Sequence, residues 1–561
     1  MLQVNGLNIY NPNKGHLVKN LSFHVGMGTT LGIVGESGSG KSLTALSIMR
    51  LLPHGLSAEA EKVDLAYGNS YLDILKIPEK KMQSIRGNSL SMVFQEPMTS
   101  LNPAYTCGNQ VSEIITKHGM SNPSSAKNYA INLFNEVKLP RPREIYSSYP
   151  HQLSGGQRQR VMIAMAISCN PSLLIADEPT TALDVTVQKS ILDLLLSLKE
   201  KFKMSMIFIS HDFSVIKSIV DHVLVMRDGE KVEYNEVQQI LHHPKAKYSR
   251  ALLACRPSNY QVDRPLKLPT INDFDSKDKD FAIKYINQEE RKKQHQDIYR
   301  ENPTLVIKDL SVKFRINKGL FSASKQYVHA VKQVSFGIWK GETVGLVGES
   351  GCGKTTLGRT ILKLVNPSSG KISYKGKPLS AFTRKELQNF REKFQIIFQD
   401  PYSSLNPKFT VRRSLLEPLL VHGIVKNKRE GMMHSEMLLE QVNLEKHFIN
   451  NYVHELSGGQ RQRVVIARAL AMNPEYIICD ESVAALDVSV QAQIINLLNR
   501  IKQERNLTYL FISHDLSVVR YMSDRILVMR EGHIEEEGES DKIFFSPETA
   551  YTKKLLASIL Q

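Results

Sequence analysis

The sequence predicts an α/β protein in which one unit is built twice. Three observations predict it. Leu153-Ser154-Gly155-Gly156-Gln157 recurs as Leu456-Ser457-Gly458-Gly459-Gln460. Other motifs recur around each copy in the same order and at a nearly constant offset. Gln95 and Gln399 are 304 residues apart, while Ser154/Ser457, Asp177/Asp480 and His211/His514 are each 303 apart. Such a register marks homologous domains rather than chance matches. In each copy an apolar run leads into a glycine-rich loop followed by a helical pattern, the strand–loop–helix alternation of an α/β domain. A chain of 561 residues has room for two domains of roughly 250 residues and a connector.

The first element of each copy is that strand and its loop. Leu31-Gly32-Ile33-Val34 precedes Gly35-Glu36-Ser37-Gly38-Ser39-Gly40-Lys41-Ser42, and Val344-Gly345-Leu346-Val347 precedes Gly348-Glu349-Ser350-Gly351-Cys352-Gly353-Lys354-Thr355. Both fit G-x-x-x-x-G-K-[ST] in the context that motif requires. Gly35, Gly38 and Gly40, with Ser37, let backbone N–H groups wrap phosphate oxygens; Gly348, Gly351 and Gly353, with Ser350, repeat the cradle. The following helix N-terminus adds positive potential. Lys41 and Lys354 then reach the β- and γ-phosphates, and Ser42 and Thr355 ligate Mg²⁺. The next informative element is an apolar strand ending in acids: Leu173-Leu174-Ile175-Ala176-Asp177-Glu178 and Tyr476-Ile477-Ile478-Cys479-Asp480-Glu481. Asp177 and Asp480 suit a Mg²⁺ shell. Glu178 and Glu481 suit a general base that aligns an attacking water. Carboxylates buried at a strand end need a partner, and a cation is the natural one.

Together these motifs resemble the tandem ATP-binding cassette (ABC) ATPases, over roughly 1–255 and 303–561. The Leu-Ser-Gly-Gly-Gln stretch is that family's signature. The resemblance implies two ABC ATPase domains, each a phosphate-loop RecA-like core with an antiparallel β subdomain and a helical signature subdomain. It implies ATP and Mg²⁺ as ligands. It assigns Ser154, Gly155, Gly156 and Gln157, and Ser457, Gly458, Gly459 and Gln460, to capping the γ-phosphate of ATP held on the opposite domain. A helix start favours such an anion. Gln95 and Gln399 become the Q-loop residues that sense Mg²⁺ and the γ-phosphate. His211 and His514 become the switch histidines. Asp184 and Asp487 become D-loop residues at the interface of a functional intramolecular dimer. Tyr10 and Phe314, 304 apart, either stack on adenine, as the resemblance implies, or are plain core aromatics on a first strand. No catalytic group is missing from either half, so two competent sites are expected: Lys41 and Glu178 with Ser457, and Lys354 and Glu481 with Ser154.

The copies differ in informative places. Lys41 and Lys354 are 313 apart, because the second copy has extra residues near Gly319-Leu320-Phe321-Ser322. The first copy instead has 54 residues from its loop lysine to Gln95, against 45 from Lys354 to Gln399. Asp480-Glu481-Ser482-Val483-Ala484-Ala485 replaces Asp177-Glu178-Pro179-Thr180-Thr181-Ala182, and Cys352 sits inside the second loop. A small side chain is all the loop needs there; the alternative is that an oxidised, bulkier thiol blocks nucleotide. The expected division is 1–256 for the first domain, 257–302 for a charged linker and 303–561 for the second domain. The linker, with Glu289-Glu290-Arg291-Lys292-Lys293-Gln294, has too few apolar residues for a core, is helical in part, and holds the halves at high effective concentration.

Composition narrows the class. Apolar residues make up 42% and charged residues 23%, ordinary values for a globular protein. The net charge of +16 comes without a long Lys/Arg block, so nucleic acid is not the expected partner; a solvated surface beside an anionic membrane is. No run reaches the roughly 18–20 apolar residues of a membrane helix, and the N-terminus has no signal-peptide pattern. Five scattered cysteines without a Cys-x-x-Cys pair argue for a reducing compartment and against the zinc modules of the DNA-repair ABC class. Glu96-Pro97-Met98-Thr99-Ser100-Leu101-Asn102-Pro103 and Asp400-Pro401-Tyr402-Ser403-Ser404-Leu405-Asn406-Pro407 are similar to the dipeptide/oligopeptide/nickel importer ATPases. So are the tails around His243-Pro244 to Leu253 and Ser546-Pro547 to Leu556. The chain looks like two such ATPases fused, as in glutathione-type importers. That resemblance implies two membrane-spanning permease subunits, whose coupling helices dock near Met98–Gln110 and Tyr402–Arg413, and an extracytoplasmic substrate-binding protein. It places the chain peripherally on the cytoplasmic face of a bacterial cell membrane. Some members hold an iron–sulfur cluster on cysteines after the first domain; only Cys255 lies there, so no cluster is expected. The alternative class is a soluble tandem ABC ATPase acting on ribosomes, which fits less well because those proteins lack the Ser-Leu-Asn-Pro stretch. Dipeptides, oligopeptides, glutathione and nickel or other metal chelates remain open as cargo, with a peptide or glutathione favoured.

Overall fold

The computed structural model describes all residues except 14, 97–99, 181–182, 261–263, 276–282, 317–325, 484–485 and 558–561, and the side chains of 288, 316 and 326. Pro97-Met98-Thr99, the insertion at Gly319–Ser322, and the pairs Thr181-Ala182 and Ala484-Ala485 therefore lie outside the described residues. The chain folds as two compact units. One comprises Met1–Ala254 with 271–275; the other comprises Cys255–Thr270 with 283–557.

Each unit is mixed α/β and pairs an antiparallel sheet with a mostly parallel one. In the first unit, β1 (Leu2–Asn11), β2 (Gly15–Val25), β4 (Ser57–Glu59), β5 (Lys62–Tyr67) and β6 (Ser70–Asp73) are antiparallel, in the order β2-β1-β5-β6 with β4 against the end of β1. Leu2, Val4, Leu7 and Ile9 turn inward along β1, interrupted by register shifts at Val4/Leu7 and Leu7/Ile9 that keep the apolar set on one face. Strand β4 lies within the extra stretch between Lys41 and Gln95.

The second sheet runs β11 (Glu230–Glu236), β10 (His222–Arg227), β3 (Thr30–Val34), β9 (Ser205–Ser210), β8 (Leu173–Asp177), β7 (Leu90–Val93). Only the β10–β11 pair is antiparallel. Strands β3, β8 and β9 are buried at every position, which is why they read as apolar runs without alternation. Ile33, Ile175, Ile207 and Ile209 of this sheet share one core with Leu2, Val4 and Leu7 of the other and with Ala45 and Ile48 of the helix Lys41–Ile48. The register pairs Val34 with Ser210 and Asp177 with Ile209. Strands β3, β9 and β8 thus end at one edge, where the glycine loop, His211 and Asp177-Glu178 follow, the crevice at the carboxyl ends of a parallel sheet. Helices Cys107–Lys117, Pro123–Glu136, Pro142–Ser147 and Gly155–Ile167 pack on one another as a helical part.

The second unit repeats this plan. β12 (Leu305–Ile316), β13 (Gln326–Ile338), β15 (Ser369–Tyr374) and β16 (Lys377–Pro378) form the antiparallel sheet. β14 (Thr343–Val347), β17 (Phe394–Ile397), β18 (Tyr476–Asp480), β19 (Thr508–Ile512), β20 (Arg525–Arg530) and β21 (His533–Glu539) form the other, in the order β17-β18-β19-β14-β20-β21. That is the first unit's order read from the opposite edge.

The polar stretch between the ATPase-like regions is docked rather than bare. Arg264 donates to Ser540 Oγ and Asp541 Oδ1 at 3.2 and 3.3 Å, Arg291 donates to Ser540 Oγ at 2.6 Å and pairs with Asp541, and Leu268 exchanges two hydrogen bonds with Asn496 at 2.9 and 2.8 Å. Tyr521 Oη donates to the Pro265 carbonyl at 3.1 Å. These partners all belong to the second unit, whereas Asp275 pairs with Arg227 of the first at 2.6 Å. The helix Gln288–Ile298 begins on an Asn287 cap. Charge pairs supplement a few buried apolar side chains such as Leu268 and Ile271.

Candidate nucleotide sites

Each glycine loop is held in shape by its own lysine. Lys41 Nζ donates to the carbonyls of Gly35 and Glu36, both at 2.8 Å; Lys354 Nζ donates to Gly348 and Glu349 at 2.7 and 2.9 Å. Both lysines are buried, 5% and 4% exposed. Gly40 and Gly353 start the following helices with φ of 95° and 110°, a backbone region that disfavours side chains. Ser37, Gly38, Ser350 and Gly351 complete the cradles, with Gly38 and Gly351 also at positive φ.

The strand-end acids meet the loops. Ser42 Oγ donates to Asp177 Oδ1 at 3.0 Å, and Thr355 Oγ1 to Asp480 Oδ1 at 2.9 Å. Burial pushes the Asp177 carboxyl up to about 6, with the Ser42 hydrogen bond opposing and the Glu178 charge adding. Asp480 is raised for the same reasons, its hydrogen bond coming from Thr355. A hydroxyl beside an under-compensated carboxylate is an oxygen-only donor set of the kind a hard divalent cation takes.

Glu178 and Glu481 stand at the centre of a second group. Gln95 Nε2 donates to Glu178 Oε2 at 3.0 Å and His211 Nδ1 lies 3.3 Å from the same oxygen; Gln399 and His514 stand at 2.7 and 3.6 Å from Glu481 Oε2. Burial opposes charge on both histidines, but the hydrogen bond and charge of the glutamate outweigh it and raise their pKa. Burial likewise pushes Glu481 up, yet the His514 hydrogen bond and charge bring it below its ordinary value. Both glutamates have left-handed backbones, φ 45° and 49°, strain that persists at functional positions when surroundings impose it. Nothing in the sequence signals that strain.

The signature residues form capping boxes. Ser154 Oγ accepts from Gln157 N at 3.3 Å and Gln157 Oε1 accepts from Ser154 N at 3.0 Å; Ser457 and Gln460 repeat both distances. Each thus opens its helix, Gly155–Ile167 or Gly458–Leu470, with the serine exposed and the glutamine partly so. Gly156 and Gly459 also pack closely: a Cβ on either would lie 2.7 or 2.5 Å from Val187 or Val490. Gly155 and Gly458 have no such neighbour, with 3.6 and 3.9 Å to the nearest side chain. Asp184 and Asp487 cap the helices Val185–Phe202 and Val488–Arg505, accepting from Val187 N and Val490 N at 2.9 Å. Tyr10 and Phe314 are 42% and 45% exposed, so neither is a core aromatic.

Cys352 occupies the loop position of Ser39. It is 7% exposed, and burial pushes its thiol up despite Lys354, which disfavours the reactive thiolate. One contact escaped the sequence reading: Tyr248 and Tyr551, from the tails, touch the loops through Glu36 and Glu349. Their 303-residue separation was the available signal.

The ABC transporter family pattern matches residues 18–181 and 331–484. The oligopeptide/dipeptide transporter C-terminal region matches 232–278. The chain is 45% identical, over its whole length and 89% of the relative's, to the glutathione import ATP-binding protein GsiA of Escherichia coli O157:H7. It is 43% identical, with the same coverage, to the GsiA of Pectobacterium atrosepticum. A solved dimeric ATP-binding cassette bound to ADP and Pi aligns with 42% of this chain and 98% of its own length, at 29% identity and a TM-score of 0.38. None of these relatives is a ribosome-associated protein. No helix among the described residues is long and apolar enough to cross a membrane. With two matched ATPase domains and full-length relatives among importer subunits, the chain belongs to the ABC transporter family, as an ATP-hydrolysing importer subunit that carries both ATPase domains on one polypeptide.

Proposed function

We propose that this chain is the motor of a peptide-class importer, with a small peptide such as glutathione as cargo, and that it hydrolyses ATP at two competent sites. The observation that carries the two-site reading is the paired geometry. Each unit has its lysine on the loop carbonyls, its hydroxyl on the strand-end aspartate, and its glutamine and histidine on the following glutamate. The cargo reading is supported by the C-terminal region match and by the relatives' names.

Ser42 and Asp177, with Gln95, would hold Mg²⁺ in one site, and Thr355 and Asp480, with Gln399, in the other. Bound there, the ion would neutralise charge on the phosphate oxygens. Lys41 and Lys354, held on the loop carbonyls, turn remaining ammonium protons to phosphate oxygens. Glu178 and Glu481, held by glutamine and histidine, orient water and receive its proton. Ser154 with the Gly155 and Gly156 N–H groups closes the γ-phosphate of ATP on Lys354, and Ser457 with Gly458 and Gly459 that of ATP on Lys41. Asp184 and Asp487 lie at the interface of this intramolecular dimer. Tyr10 and Phe314 stack on adenine. ATP works the cycle because it favours the closed arrangement more than ADP does. The partners are two permease subunits and an extracytoplasmic binding protein, with this chain on the cytoplasmic face of the membrane.

Nucleotide titration of the E178Q/E481Q protein with Mg²⁺ tests the core of this reading. Two tightly held ATP per chain are expected, and one per chain refutes two equivalent sites. Purification of the same protein from native membranes with ATP should bring down two multi-span proteins in near-equal amounts. Ribosomal proteins in their place would refute the importer assignment of the cargo path.

A further inference from the structure

In both units the tail that follows the parallel sheet reaches back to the phosphate loop. Tyr248, in the helix Lys247–Ala254, accepts the Glu36 backbone N–H at 3.2 Å and donates to Glu36 Oε2 at 3.3 Å. Tyr551, in the helix Ala550–Ala557, accepts the Glu349 N–H at 3.3 Å. The peptide unit involved matters. The N–H of Glu36 belongs to the same rigid peptide plane as the carbonyl of Gly35, and that carbonyl receives Lys41 Nζ at 2.8 Å. In the second unit the Gly348 carbonyl receives Lys354 Nζ at 2.7 Å while Tyr551 holds the N–H end. Each hydroxyl therefore pins one end of a plane whose other end parks the phosphate lysine. Turning the plane would carry the carbonyl away from the lysine and leave a part-buried N–H without its acceptor.

The surroundings keep the hydroxyl in place. Tyr248 and Tyr551 are 4% and 8% exposed. Burial raises both phenols well above physiological pH, so each stays a neutral hydroxyl. Arg227 lies over the Tyr248 ring at 4.9 Å and Arg530 over the Tyr551 ring at 5.1 Å. Each tyrosine's helix is tied to the sheet by a strand carboxylate: Glu233 accepts from Lys245 N and Ala246 N at 2.8 and 3.1 Å, and Glu536 accepts from Glu548 N and Thr549 N at the same distances. Arginine, glutamate and tyrosine all recur at a spacing of 303. The C-terminal region pattern matches only 232–278, yet the second tail contains the same device.

We infer that Tyr248 and Tyr551 are positioning residues for the phosphate loops, orienting the peptide plane that presets Lys41 and Lys354 for ATP. The inference rests on the reading that these loops bind ATP. Preset geometry is used equally by bound substrate and transition state, so its loss appears in KM rather than kcat. Removing one neutral hydrogen bond to a part-buried N–H corresponds to a change of roughly three- to tenfold.

The test uses the full chain as wild type, Tyr248→Phe, Tyr551→Phe and the double variant, because phenylalanine keeps the packed ring. Binding of a fluorescent ATP analogue with Mg²⁺, steady-state ATPase and nucleotide-free melting are measured together. The expected result is a KM for ATP raised roughly three- to tenfold, with kcat within twofold and melting unchanged. Unchanged KM in both single variants overturns the inference. So does a fall in kcat and melting temperature in step with KM, which marks a merely structural tyrosine. Failure of the wild type itself to bind the analogue removes instead the nucleotide reading beneath it.

Discussion

Gly156 and Gly155 are adjacent, and the structure gives them different tasks. An alanine Cβ at Gly156 would stand 2.7 Å from Val187 Cγ1 and 3.9 Å from Cγ2, whereas at Gly155 the nearest atom is Leu183 Cδ2 at 3.6 Å. The first distance is below any real contact and the second is ordinary. Val187 cannot swing aside cheaply, because a β-branched side chain on a helix has one strongly preferred rotamer. Overpacking of this kind costs about 1–3 kcal/mol, while alanine in place of glycine in a helix returns up to about 1 kcal/mol. Gly156→Ala should therefore lose about 1–2 kcal/mol, and Gly155→Ala should be neutral or slightly stabilised. In a domain of this size each kcal/mol moves melting by roughly 2–4 °C, which calorimetry on the full chain resolves. Adding Val187→Ala to Gly156→Ala should recover part of the loss, a coupling that a double-mutant cycle reads directly. ATPase should fall in both glycine variants, because either added methyl crowds the γ-phosphate in the proposed closed site. Equal melting of the two single variants, or strict additivity with Val187→Ala, would refute the packing argument. Gly459→Ala against Val490, at 2.5 Å, repeats the experiment in the second unit.

Two other perturbations follow from named contacts. Asp541 pairs with Arg264, Arg291 and Arg520; burial pushes its carboxyl up, but the charges of Arg264, Arg291 and Arg520 bring it below its ordinary 3.8. A depressed carboxylate contributes stability present above its unfolded pKa and lost as pH falls through the lower folded value. Asp541→Asn should cost about 2–3 kcal/mol at pH 7, at or just below the lower end of the roughly 3–5 kcal/mol for a broken buried pair, since the side chain is 31% exposed. The deficit should shrink below pH 4 in urea unfolding, and protease cleavage within 255–302 should quicken at neutral pH; equal stability at pH 7 would exclude this anchoring role. Tyr10→Ala and Phe314→Ala should each weaken ATP binding by roughly three- to tenfold without changing melting, as expected for loss of a ring stacked on a base; binding at wild-type strength would make them ordinary surface aromatics.

What could be read from the sequence was what backbone periodicity and motif context dictate. Leu31–Val34 and Leu173–Ala176 had to be buried strands because they are unbroken apolar runs, and they are. The loops followed from Gly40 and Gly353, since a glycine enters that helix at their φ far more readily than any residue with a side chain. The convergence of Ser42 with Asp177 and of Gln95 with Glu178 depends on strand order, which the family resemblance supplied and periodicity could not. The docking of the described residues of 255–302 was hidden for another reason. Its arginines look solvated in sequence, and only long-range partners reveal the docking: Asp541 for Arg264 and Arg291, Asn496 for the Leu268 backbone. Tyr248 and Tyr551 lie in the two tails without a sequence-level role, because a hydroxyl that meets a backbone N–H leaves no trace in side-chain pattern.

The comparison between halves shows where evolution had freedom. Their antiparallel sheets differ in strand number among the described residues, and the same loop position is Ser39 in one and Cys352 in the other. The hydroxyl–aspartate contacts nonetheless agree at 3.0 and 2.9 Å, and the lysine–carbonyl contacts at 2.8 and 2.7 Å. The hydroxyl–aspartate contacts join groups that follow two parallel strands with one strand between them, β3 and β8 or β14 and β18, so the register of the parallel sheet sets them, and the lysine contacts close within a single loop. Side chains added to the other sheet do not reach them. A substitution such as Ser to Cys is tolerated in the loop because the site demands only a small group against Gly35 or Gly348, where the sulfur or oxygen sits 2.8 or 2.7 Å from the Cβ that glycine lacks. The chemistry is thus insulated from the divergence, and duplication could separate the two halves' outer parts without unbalancing their catalytic contacts.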